Sequence, residues 1–252
     1  MDETLLSRIE DAGLNASAPP QQRWIDGWLV RFSPGKAQRA RCINAVATGR
    51  LPLEERLQLA LAVFEGAGLP ALVRITPFTQ PQGLDAWLAG RGWRLHDDTR
   101  VMVCTRIPPG EPARLPAGTH WARLEGESFA RTVGQLRGSP EDQQQAHAQR
   151  LAASPVPWRG FAIRRTADGS VLACGQYARE GDLVGLYDIH THPQARGQGL
   201  ATALCERLLT FSCLQGAAIA YLQVGADNAA ARRIYQRLGF ADAYAYHYRA
   251  AP

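Results

Sequence analysis

The residues whose spacing carries the most chemistry are Gln194-Ala195-Arg196-Gly197-Gln198-Gly199-Leu200-Ala201-Thr202. Two glycines, one apart, stand between a strand-like run and a helix-like run. Glycine permits a sharp turn and the close approach of another group. The first amides of a helix have no partner inside it and lie at the positive end of its dipole. A glycine turn opening a helix is therefore a place for a phosphate or pyrophosphate. A nucleoside-triphosphate loop would need a lysine after its last glycine, and none follows Gly199. A dinucleotide fingerprint would need a third glycine near Thr202 and an acid about 20 residues on, where Ile219 and Tyr221 stand. His190 and His192 could suggest a metal pair, but no third ligand has a convincing spacing, so no metal is expected.

The elements that must position this loop are legible from periodicity. Residues 107–118 hold four prolines and two glycines and read as a linker. They divide the chain into a first domain at 1–112 and a second at 113–252. In the first, Trp24 to Phe32 alternates as one strand, and strands are expected at 42–46, 71–75 and 100–105. Leu53, Leu57, Ala60, Leu61 and Phe64 mark one face of a helix over 53–66, and 84–89 reads as a short helix. The basic stretch Ser33 to Arg41 reads as a solvated loop, with contact to an acidic acceptor as the alternative. In the second, 160–165, 171–178 and 182–191 read as strands with hairpin turns between them. Leu200, Ala203, Leu204, Leu208 and Phe211 share a helix face. A buried strand follows at 217–224. Asp227 or Asn228 caps a helix over 229–238, Gly239 closes it, and 244–249 is a last strand. Residues 134–153 are polar and helical, a lid or one side of a substrate site.

Composition bounds the partners. The chain has 252 residues and a net charge of +5, almost all of it arginine, since Lys36 is the only lysine. An anionic ligand fits that balance, whereas no basic run with interleaved aromatics argues for nucleic acid. No apolar stretch reaches the ~18–20 residues of a membrane span, and the amphipathic, acid-bearing start is not a signal peptide. Five cysteines without a C-x-x-C pair point to reduced thiols in a cytoplasmic protein.

A second signature follows the loop at the right distance. Asn228 comes after the buried strand, then Ala231, Tyr235 and Leu238-Gly239-Phe240. With Gln194, Gly197, Gly199 and the preceding His192-Pro193, this resembles the GNAT superfamily of acetyl-CoA-dependent N-acetyltransferases, over about 120–250. The whole chain is similar to tandem members in which a degenerate GNAT-like half precedes an active one. The resemblance implies an α+β fold of two GNAT-like halves, each a mixed, mostly antiparallel sheet flanked by helices. It implies acetyl-CoA as co-substrate and a primary amine as acceptor, in a small molecule or a peptide. The amides of Gly197, Gln198, Gly199, Leu200, Ala201 and Thr202 are expected to grip the pyrophosphate, with Gln194 of the signature and Arg196 beside them. The strand end Ile189-His190-Thr191 is expected to pair with the pantetheine arm, and Asn228 to bond it from the far side. Tyr235 is the expected catalytic residue, protonating the leaving thiolate. The base stays open among Asp188, His190, His192 and water. A non-catalytic acyl-CoA sensor and an enzyme using a longer acyl donor remain alternatives.

The halves echo each other: 71–75, 84–88 and Gly92 run parallel to 219–224, the Tyr235 helix and Gly239. Aligned so, Leu88 falls at Tyr235 and Pro81 at Asn228. The stretch Ala45 to Pro52, where a phosphate loop would be, holds one glycine. One CoA site per chain is therefore expected, in the second half.

Overall fold

Alternating and helical periodicities sort the chain into eleven strands and seven α-helices in the computed structural model, which describes residues 2–108, 110 and 114–252. The first half contributes α1 (Glu3–Ala16), β1 (Gln22–Ile25), β2 (Trp28–Arg31), β3 (Ile43–Ala45), α2 (Leu53–Gly66), β4 (Leu72–Ile75), α3 (Leu84–Ala89) and β5 (Arg94–Cys104). The second contributes β6 (Thr119–Leu124), α4 (Gly126–Arg137), α5 (Glu141–Ala152), β7 (Trp158–Arg165), β8 (Val171–Glu180), β9 (Leu183–Thr191), α6 (Leu200–Cys213), β10 (Ile219–Gly225), α7 (Ala229–Arg237) and β11 (Ala241–Ala250). The linker expected at 107–118 and the boundary at 112/113 fall partly on residues 109 and 111–113, outside the described residues.

Three expectations need correcting. Trp24 to Phe32 is a hairpin and not one strand. Asp26 (φ 40°) and Gly27 (φ 83°) form its two-residue turn, with Ile25 opposite Trp28. The 33–41 stretch is not a solvated loop. Ser33, Gly35 and Ala40 are buried, and Arg39 donates to the Tyr246 hydroxyl (3.3 Å) while lying over the Tyr187 ring. Strand β6 appears where none was expected; it is a partly exposed edge strand whose side chains do not alternate cleanly.

All strands join one sheet in the order β1-β2-β3-β4-β11-β5-β10-β9-β8-β7-β6. Pairings are antiparallel except β3 with β4 and β9 with β10. The order has a pseudo-twofold pattern, and the halves exchange their final strands across it. β11 lies between β4 and β5, and β5 lies between β10 and β11. Gly92 (φ 79°) and Gly239 (φ 86°) end corresponding helices in the left-handed region that a side chain disfavours. Helix α1 crosses onto the second half, where Asn15 donates to Glu180 (3.1 Å) and Arg8 pairs with Asp182.

The core that holds the loop lies under α6. Leu200, Leu204 and Leu208 of its buried face pack against Ile163, Ala173, Val184 and Ala220 of the sheet. Each such leucine contributes roughly 1.5–3 kcal/mol of burial. No helix among the described residues is long and apolar enough to cross a membrane.

Candidate functional site

The site begins where two central strands part. Parallel pairing of β9 with β10 runs from Leu183–Ile219 to Leu186–Leu222 and then stops, although both strands continue. On its other side β9 carries an irregularity against β8, between the Gln176–Tyr187 and Cys174–His190 pairs. Asp188, at φ 54°, is the residue that bends it. A Cβ at Gly175 would collide with the Ile189 side chain, so glycine there lets the bulge pack. His192 N–H donates to the Leu172 carbonyl (2.8 Å), so strand alternation turns Thr191 N–H the other way, toward the gap.

Helix α6 points its N-terminus into this gap. Gly197 (φ 77°) and Gly199 (φ 74°) need left-handed backbone, and a Cβ on either would meet nothing within 4 Å. Gly199 caps the helix with no side-chain bond. Among the described residues, the amides of Gly197 to Thr202 donate to no backbone or side-chain acceptor. Such bare donors carry the partial positive charge of the helix end.

The far wall is α7. Asn228 Oδ1 accepts from Ala231 N–H (3.2 Å) and caps the helix, which leaves its amide nitrogen free. Tyr235 is buried beneath Phe240, with ring centroids 6.2 Å apart. Burial pushes its phenol well above the usual value, with Cys205 adding to this, so it is protonated at neutral pH. Its hydroxyl has no hydrogen-bond partner among the described residues.

One cavity of about 620 Å³ gathers most of the residues expected from sequence. Ile189, His190, Thr191, Arg196, Gly197, Gly199, Leu200, Ala201, Thr202, Asn228 and Tyr235 line it. Gln194 and Gln198 stand outside its wall, and Gln194 N–H is engaged by His192 Nδ1 (3.3 Å). That bond turns His192 onto its own loop.

A polar network that sequence reasoning missed lies on the other side of β9. Arg137 from α4 pairs with Asp188 Oδ1 (3.0 Å). His147 from α5 lies 3.3 Å from Asp188 Oδ2, and Gln176 Nε2 donates to the same oxygen (2.8 Å). Burial alone would raise the Asp188 carboxyl. His147 and Arg137, with Arg150, outweigh that and hold it well below the usual carboxylate range. His190 lies at the junction, lining both the large cavity and an open mouth of about 500 Å³ formed with Lys36, Ala37, Leu136, Arg137, Pro193 and Arg196. Burial and then Arg137 lower its pKa below 6.5, so the ring is neutral at pH 7. Among the described residues no group of three or more His, Cys, Asp or Glu is arranged for a metal ion.

The corresponding places in the first half are filled by the chain itself. Asp26 accepts from the amides of Arg50 (2.8 and 2.9 Å) and Leu51 (2.8 Å), just ahead of α2, and pairs with Arg56 (2.9 Å). Where β3 and β4 part, Gln80 N–H donates to the Ala45 carbonyl (2.7 Å), and Trp28 Nε1 donates to the Gln80 carbonyl (3.3 Å).

Comparison with known proteins bears on both halves. Residues 120–240 match the Acetyltransferase (GNAT) family. The chain is 26% identical over 231 residues to an uncharacterized N-acetyltransferase, YobR, of Bacillus subtilis, covering 90% of this chain and 91% of that one. Among solved structures, a GCN5-related N-acetyltransferase from Kribbella flavida superposes with a TM-score of 0.68 at 17% identity, covering 98% of this chain and 95% of that one. A tandem GNAT protein from the clavulanic acid biosynthesis pathway superposes with a TM-score of 0.60 at 14% identity, over 81% and 72% of the two chains. At these identities the structural matches speak for the fold alone, an α+β architecture with a mostly antiparallel sheet.

Proposed function

Residues 120–240 are a domain of the acetyltransferase (GNAT) family, and from that premise we propose that the protein moves an acetyl group from acetyl-CoA directly to a primary amine. The observation that carries this reading is the row of uncommitted amides from Gly197 to Thr202, whose residues, Gln198 aside, line the same cavity as Tyr235. The donor set fits a diphosphate: main-chain N–H groups, the Arg196 guanidinium beside them, and no Cβ intruding at Gly197 or Gly199. The unpaired edge of β9 suits an extended, amide-bearing arm added like a strand. Asn228 donates from the opposite wall.

When bound, the thioester supplies an acyl carbonyl that gains negative charge as an amine attacks. A β9 amide within Ile189 to Thr191 stabilises that charge from a fixed position. Tyr235 holds its proton at Oη and gives it to the departing sulfur, whose free thiol has a pKa of about 8.5. Asp188 cannot act as base, because both its oxygens are engaged and its carboxyl resists protonation. The neutral His190 ring, set between the two openings, takes the amine proton directly or through water.

The first half, 1–112, we read as a degenerate copy that buttresses the second, giving one acetyl-CoA per chain. The test is release of free thiol from acetyl-CoA with a panel of amines. Release that depends on the amine supports transfer. Tight binding without release would make the protein an acyl-CoA sensor. Faster release from longer acyl-CoAs would replace the donor.

A further inference from the structure

Beside the mouth shared by Lys36, Arg137 and His190 lies a recess of about 40 Å³, walled by the 33–40 segment of the first half and by α4 and α5. It has room for about three water-sized groups, the size of a carboxylate. Its charged lining is lopsided: Lys36, Arg137 and Arg150 face a single carboxylate, Asp188, with His147 beside it. Asp188 is already taken up by Arg137, His147 and Gln176. Neither Lys36 nor Arg150 forms an ion pair among the described residues, and Arg150 donates only a long bond to the Ala16 carbonyl there (3.5 Å). Arg150 is part-buried and shares the single carboxylate of Asp188 with Arg137, while Lys36 reaches the recess from solvent, so an anion arriving there meets an excess of positive charge. An ammonium arriving there would add to it and would find no free carboxylate.

We propose that the acceptor is a primary amine that also carries an anionic group, a carboxylate or a phosphate, and that this group seats in the recess against Lys36, Arg150 and the outer face of Arg137. The amine end then lies toward His190, where the mouth meets the cavity of the acyl donor. The inference rests on reading that cavity as an acetyl-transfer site. It also gives the first half a part in function, because Lys36 and its segment form one wall.

The experiment is steady-state thiol release with acetyl-CoA and matched amine pairs: amino acids against their amides, and aminoalkyl phosphates against the corresponding amino alcohols. The expected result is kcat/KM about tenfold or more higher for the anionic member of at least one pair type. Which pair type responds tells carboxylate from phosphate. Lys36→Gln, an exposed change that spares the fold, and Arg150→Gln should each raise KM for that acceptor about tenfold and narrow the ratio within the pair. Turnover confined to neutral or cationic amines, no turnover of the anionic members, or an unchanged ratio in Lys36→Gln overturns the proposal. Calorimetry with acetyl-CoA separates the two levels. Binding with the wrong acceptor preference sinks only the acceptor class, whereas absence of binding sinks the transfer reading beneath it.

Discussion

The turns that lead into two helices of this molecule stand at equivalent places and have opposite fates. At α6 the glycine turn stands open and six successive amides are uncommitted. At α2 the amides of Arg50 and Leu51 already hold an anion, the carboxylate of Asp26, and Arg56 balances its charge. Gly49 also has a left-handed φ of 72°, but a Cβ there would collide with Asp26 and Arg56, whereas Gly197 and Gly199 face empty space. The strand gaps differ in the same way. The fork of β9 and β10 has free edge groups, while the fork of β3 and β4 is bridged by the backbone of Gln80. A helix N-terminus is satisfied either by a ligand or by the protein. The turn into a helix is a site in one half and a strut in the other, depending on whether an internal carboxylate reaches its amides.

The comparison breaks most sharply at Tyr235, whose place in the first half is held by Leu88. Tyr235→Phe should slow turnover by about 10²-fold or more while leaving acetyl-CoA affinity in place. Unchanged turnover removes the assignment. Next comes the turn itself. Gly199→Val puts a β-branched side chain at positive φ and should weaken acetyl-CoA binding about tenfold or more, with a small effect on melting temperature. Equal affinity would mean that these amides hold nothing.

A smaller effect is expected from pH. His190 has a lowered pKa, so it is deprotonated and competent above about 6.5. Activity should fall about tenfold per unit only once pH drops below the folded-state pKa, which lies under that value. His190→Gln should flatten this acid limb, and a limb that survives the substitution reassigns the base. The smallest functional effect belongs to the first half. Asp26→Asn should lower the melting temperature at neutral pH and leave one acetyl-CoA bound per chain. The Asp26 carboxyl is depressed, first by the Leu51 N–H, so its contribution is present above its unfolded pKa and lost as pH falls through the folded one. The stability gap between wild type and Asp26→Asn should therefore close in acid.

Much of the site was legible because its signals are local. Glycines that need φ above zero, an asparagine at a helix cap and an apolar stripe such as Leu200-Leu204-Leu208 act within a few residues of themselves. Helices at 53–66 and 84–89 came at their observed bounds for the same reason. Long-range features were not legible. Asp26 meets Arg50 across 24 positions, and nothing near Asp26 says its carboxylate will fill the turn ahead of α2. The Asp26-Gly27 pair was itself a two-residue hairpin signal, overlooked because the flanking apolar residues alternate through it. The exchange of β5 and β11 depends on pairing between halves, which periodicity does not encode. The Asp188 network draws on Arg137 and His147 from a region that read only as polar and helical, a lid or one side of a substrate site, with no partner for either side chain visible in sequence. The 33–41 segment looked solvated because its charges are visible in sequence and the tyrosines that cover Arg39 are not.

Calorimetric titration of the purified chain with acetyl-CoA, repeated with Gly199→Val and Asp26→Asn, tests most directly whether the open α6 turn alone anchors the diphosphate. The account predicts one equivalent bound by the wild type and by Asp26→Asn, and binding weakened about tenfold or more in Gly199→Val. Two equivalents per chain, or binding that ignores Gly199→Val and fails in Asp26→Asn, would contradict it.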